Sequence, residues 1–213
     1  YLDIGFDSLS LIAKEIRERI AMDYALHWQA LGSILTRGGT WMLPDDHEYW
    51  NDYPFYDSLL PTLLPLKLSS VRRAWSRASR DGVSQRSALI ETFSIGNELS
   101  FCVADLRSYR RGKRFLPDQA FARLCDWARG LACPGVLLVP QPVIVGDQSL
   151  ERNLRGFPEQ YSALLAALGS SGHDVVLLSG DVHFGRIASV PLGSQGGKLV
   201  EIISSPLSNL TGL

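Results

Sequence analysis

The sequence predicts a layered α/β domain built on a mixed sheet. Three observations carry that expectation. Segments of helical periodicity alternate with short apolar runs along the chain, two pairs of those runs are joined by tight glycine-containing turns, and 213 residues of which 46% are hydrophobic suffice for a sizeable buried core. Hairpins beside β/α alternation argue for mixed pairing and against a purely parallel doubly wound sheet.

Residues 8–36 open the chain as a helix. Leu9, Ile12, Ile16 and Ile20 fall on one face, while Lys14, Glu15, Arg17, Glu18 and Arg19 fall on the other, and Gly38-Gly39 ends it. The run "TWML", residues 40–43, reads as a short buried strand that delivers the acidic segment "PDDHE". From Tyr49 to Leu68 the chain is rich in proline and aromatic residues without a period, and a loop of that length is usually functional or disordered. Residues 69–80 form a basic helix whose Arg72, Arg73, Arg77 and Arg80 make a solvated face. "ALIETFSIGNELSFCVADLR" is a hairpin about Gly-Asn. A helix follows at 117–131, then a strand at 135–140, a helix at 158–170 and a strand at 174–179. Strands at 186–191 and 198–204 flank a glycine-rich turn.

Charge and cysteine content exclude several classes. With 21 Lys+Arg against 22 Asp+Glu the chain offers no electrostatic case for binding nucleic acid or an anionic membrane, and it contains no apolar span of 20 residues. Cys102, Cys125 and Cys133 are scattered, with no CxxC, so they read as buried small hydrophobes and not as a disulfide or zinc framework. The glycine-rich segment 193–197 has no helix after it, which argues against a phosphate-binding nucleotide loop.

The chemistry gathers at two strand ends. Asp45, Asp46 and His47 follow the first apolar run, and "VVLLSGDVHFG" carries a buried strand into Gly180 and then Asp181 and His183. In extended chain an Asp-x-His pair points both side chains to one side, and oxygen with imidazole donors suits divalent cations or ferric iron. Taken singly, each motif is also what a capped, solvated turn looks like. Together they can meet at one metal centre. His27 and His173 read as structural or exposed.

These motifs resemble a known family. "LPDDHEYWNDY" is similar to the DDHE segment of PhoD-like phosphatases, a branch of the calcineurin-like metallophosphoesterases. "ADLRSYR" resembles that family's D-x-R-x-x-R segment, "LPDQAFARLCDWARGL" its Gln-then-Trp helix through Gln119 and Trp127, "LSGDVH" its GD-x-H motif, and "EIISSPLSN" the strand after it. "YLDIGFD" is similar to the continuation of a GD-x-x-Y segment with Tyr1 at the tyrosine position, which implies a chain lacking the first metal motif and the first strands; "EIISSPLSNLTGL", which stops just after a strand-like run, leads to the expectation that the domain is incomplete at its C-terminal end as well.

The resemblance implies a single metallophosphoesterase-like catalytic domain over 1–213, an α/β/β/α sandwich. It implies two or more divalent or trivalent metal ions, of Ca, Fe, Mn or Zn type, with Tyr1, Asp46, Asp181 and His183 as ligands. His47 is then the proton donor to the leaving oxygen, with Asp45 or Glu48 orienting its ring. Asn51 lies close enough on the loop to contact phosphate. Arg107 is expected to pair with a phosphate edge or with Asp105, and Arg110 is the second candidate cation. Gln141 stands where many metallophosphoesterases place a histidine ligand. Trp50, Tyr53, Phe55 and Tyr56 are expected to wall or cover the leaving group.

The function expected is metal-dependent hydrolysis of phosphate mono- or diesters, with a small-molecule phosphoester as substrate. The alternative is a non-catalytic or degenerate domain of the same fold that serves as a binding module. Members of the family are often exported, but the sequence here carries no readable address.

Overall fold

The computed structural model describes residues 9–46, 48–50, 53–54, 68–82, 88–145, 153–182, 184–194 and 196–205. Tyr1, His47, Asn51, Phe55, Tyr56 and His183 lie outside the described residues, as do the side chains of Leu9 and Ile12. The chain forms two compact units, Tyr1–Arg86 and Ser87–Leu213.

The first unit is helical. α1 (Leu9–Leu35) and α2 (Ser69–Gly82) pack together because each presents an apolar stripe at helical spacing, Ile16 and Ile20 on α1 and Val71, Trp75 and Ala78 on α2, all buried. Tyr49, Trp50 and Tyr53 complete this core. Their rings fix one another: Tyr49 stacks on Tyr53 at 4.2 Å, and Trp50 meets Tyr53 and Trp75 edge-on at 4.7 and 6.1 Å. Trp50 and Tyr53 are each 4% exposed, so they are core residues and not the wall or lid expected of them. Side chains close the C-terminal end of α1: Thr36 Oγ1 donates to Gly32 O at 2.7 Å and Arg37 Nε to Ser33 O at 3.0 Å.

Residues 40–43 belong to none of the strands and Trp41 is 37% exposed, which corrects the expected buried strand. Three apolar residues ahead of a proline carry too little periodicity to separate a strand from an irregular segment.

The second unit is a six-stranded mixed sheet with two helices. β1 (Ile90–Ile95) and β2 (Leu99–Ala104) form an antiparallel hairpin that turns through Gly96 at φ +53. α3 (Asp118–Arg129) leads to β3 (Gly135–Leu138), a short 3-10 turn at Leu154–Gly156 leads into α4 (Pro158–Gly169), and β4 (Val175–Ser179) follows. β5 (Arg186–Leu192) and β6 (Gly197–Ile203) close the unit as a second hairpin. The spatial order is β1-β2-β3-β4-β6-β5, with β2, β3, β4 and β6 mutually parallel. Gly197 is required where it stands, because a Cβ there would lie 2.5 Å from His173 O.

The two faces of this sheet differ. Cys102, Leu137, Leu177 and Glu201 lie in one cross-strand row, each fully buried. Trp127 of α3 reaches this face, its Nε1 donating to Ser100 Oγ at 3.0 Å. On the opposite face, Phe101, Val176 and Val200 are only half-buried. No described helix is long and apolar enough to cross a membrane.

Candidate active site at the strand ends

Three parallel strands release their chemistry at one edge of the sheet. β2 ends at Ala104 and passes into Asp105, Arg107 and Arg110; β3 ends at Leu138 ahead of Gln141; β4 ends at Ser179 ahead of Asp181. The carboxyl ends of parallel strands are where the backbone leaves the ladder and polar side chains can be aimed at a ligand.

Asp105 organises the first of these loops. Its Oδ1 accepts the backbone N–H groups of Arg107 at 3.0 Å and Ser108 at 2.9 Å, a local turn that asparagine and aspartate favour. Asp105 thus meets Arg107 through its backbone N–H, and the Arg107 guanidinium does not pair with the Asp105 carboxylate. Its Nη2 donates instead to Asp181 Oδ2 at 3.0 Å, with side chains 4% and 9% exposed. The bond joins the end of β2 to the end of β4, two strands away.

Asp181 has φ +76, the only non-glycine residue with positive φ among the described residues. Aspartate tolerates the left-handed region better than most residues, yet the conformation is costly and collects at functional sites. No described residue bonds Asp181 Oδ1, so one carboxylate oxygen is held by Arg107 while the other is free for a cation.

Arg110 is buried and already engaged. Its Nε donates to Leu106 O at 2.8 Å and its guanidinium lies 5.4 Å over the Phe157 ring. Gln141 is 2% exposed, and no described residue bonds its Oε1.

A network that the sequence did not reveal secures the loop bearing Gln141. Glu201, wholly buried in β6, accepts the N–H groups of Val143 at 2.6 Å and Ile144 at 3.1 Å through Oε1. Arg186 on β5 bonds both Glu201 Oε2 and Ile144 O. Tyr161 adds its hydroxyl to Val143 O at 2.9 Å, and burial raises its pKa, opposed by the Arg155 cation and reinforced by Glu201. The available signal was one acid at an inward position of the apolar strand "KLVEII".

The acidic segment of the helical unit is ordered by its own turn. Glu48 Oε2 accepts the Asp45 N–H at 2.6 Å, and Tyr49 N donates to Asp46 O at 2.8 Å. Asp46 is 6% exposed. Burial, with the Glu48 carboxylate as second cause, pushes the Tyr24 hydroxyl well above the usual tyrosine range.

No protein-family model matches the chain, and no curated protein matches it. A solved structure described as "Structure of PhoD" is similar to it, with a TM-score of 0.54 and 20% identity over 76% of this chain. The chain spans 38% of the length of that structure. The likeness shows a PhoD-like mixed α/β fold.

Proposed function

We propose that the protein contributes to a metal-dependent phosphoesterase centre that hydrolyses phosphate mono- or diesters. The observation that carries this reading is the Arg107–Asp181 pair at the strand ends, in a fold similar to PhoD. Asp181, with one oxygen held and one free, has the donor chemistry of a cation ligand. Asp46 and the residues Tyr1 and His183 are proposed as its fellow ligands on the strength of the motifs.

A bound divalent or trivalent ion would supply Lewis acidity and a water of lowered pKa. This chain's residues do the rest. Arg107 fixes the Asp181 carboxylate and places a positive charge beside it. Asp105 holds the loop that presents Arg107, and the Glu201 network holds the loop that presents Gln141. His47 is proposed to protonate the departing oxygen, with Glu48 or Asp45 orienting its ring. Asn51 is proposed to touch phosphate. In the sandwich that this reading expects, a second sheet covers the half-buried face bearing Phe101, Val176 and Val200.

The test is turnover of nitrophenyl phosphate and bis-nitrophenyl phosphate by the protein with added Ca, Mn, Fe or Zn ions, before and after chelation. Chelator-sensitive turnover of either ester that Asp181→Asn abolishes is the expected result. Metal-loaded protein that turns over neither would favour a binding module of the same fold.

A further inference from the structure

The helical unit carries a cleft of about 350 Å³ with a basic wall. Arg17 reaches it from α1, and Arg73 and Arg77 reach it from successive turns of α2. Short side chains, Ala13, Ala74 and Ala78, leave space between the cations, and Ser70 adds a hydroxyl.

The three arginines are exposed. Elsewhere on α1 the exposed cations are paired one turn away, Lys14 with Glu18 at 3.7 Å and Arg19 with Asp23 at 3.3 Å. Among the described residues no carboxylate pairs with Arg17, Arg73 or Arg77. Arg73 and Arg77, four residues apart, repel each other along the helix, and Arg17 adds a third like charge from the facing helix. The chain as a whole has a net charge of −1, so this basic wall is a local feature and not a by-product of overall basicity.

Guanidinium groups donate paired, coplanar N–H bonds that match the oxygen edges of a phosphate, and three of them with a serine hydroxyl can serve several oxygens at once. The apolar floor suits a small organic substituent, and the volume falls near the lower end of small-molecule sites. We propose that this cleft binds a phosphate group, either free or as the head of a small monoester. The inference uses the helical unit alone and does not depend on the phosphoesterase reading.

The experiment titrates inorganic phosphate calorimetrically into the whole protein at low ionic strength, after metal removal and dialysis so that no metal site contributes. One saturable site is expected, weakened by added NaCl. Because a charge-assisted hydrogen bond contributes about 1.5–3 kcal/mol, Arg73→Gln and Arg17→Gln should each weaken it by at least about tenfold, with Lys14→Gln unchanged. Glutamine preserves helix propensity, and circular dichroism checks each variant's fold. Wild-type protein that shows no saturable binding at millimolar phosphate would overturn the proposal. So would arginine variants that bind as wild type does, or binding abolished by Arg107→Gln instead.

Discussion

The Arg107 guanidinium and the Asp181 carboxylate, 74 residues apart in sequence, meet at 3.0 Å with both side chains almost wholly out of water. Removing one partner from such a pair strands the other charge in a poorly solvated place. Arg107→Ala should therefore destabilise the protein by about 3 kcal/mol, and the Arg107→Ala/Asp181→Asn double variant by less than the sum of the singles. Urea unfolding of the four proteins measures this. Strict additivity would show that the two side chains are not coupled in solution.

Asp181 also bears the cost of its backbone. Asp181→Gly and Asp181→Ala lose the same carboxylate, but glycine accepts φ +76 without strain, so Asp181→Gly should be the more stable by about 1 kcal/mol. On the metal reading both variants should lose metal by elemental analysis. Retained metal in both would remove Asp181 from the ligand set.

Glu201 holds two backbone N–H groups and one arginine inside the sheet. Glu201→Ala should cost about 3–5 kcal/mol, because it leaves Arg186 without its carboxylate partner and two donors unsatisfied. Amide exchange at Val143 and Ile144 should accelerate before exchange in β3 does. Uniform acceleration across the sheet would argue against a local clamp on that loop.

Burial pushes the Cys102 thiol up to about 12, with Arg123 opposing, from an ordinary value of 9.0. Between those values the unfolded thiol loses its proton while the native one keeps it, so stability falls as pH rises through this window. Cys125, raised in the same direction, adds to the slope. Cys102→Ala should flatten the pH dependence of the urea midpoint above pH 9.0. A slope unchanged in that variant would assign it to other groups. In native protein Cys133, the only half-exposed thiol of the three, should react first with a thiol reagent.

The proposed work of His47 depends on the leaving group. General acid catalysis contributes about 10²–10⁴-fold, and an alkyl alkoxide needs it more than a nitrophenolate does. His47→Ala should slow alkyl phosphoesters far more than nitrophenyl esters at unchanged metal content. Equal losses on both would make His47 a phosphate-holding or positioning residue.

Local physics made most of the elements legible. α1 follows from the spacing of Ile16 and Ile20, α2 was legible as a basic helix through Arg72, Arg73, Arg77 and Arg80, and the β1–β2 hairpin follows from Gly96 between two apolar runs. Asp181 was legible as a candidate because it directly follows a buried strand and a glycine. The run at 40–43 misled, because three apolar residues do not encode whether a neighbouring strand will accept them.

What the sequence determined by itself is therefore the set of periodic elements, their turns and the residue types available for chemistry, since these depend on neighbours a few positions away. What only the tertiary structure decided is who meets whom. The Arg107 guanidinium bonds Asp181 and not the nearer Asp105 carboxylate, because β2 and β4 run parallel on either side of β3 and end at the same edge. Arg110 lies over Phe157, Trp50 and Tyr53 are buried in a helical core, and Glu201 reaches Val143 and Ile144 from 58 and 57 residues away. Burial and long-range pairing are properties of the packed chain, set by which surfaces leave water together, and no local pattern records them.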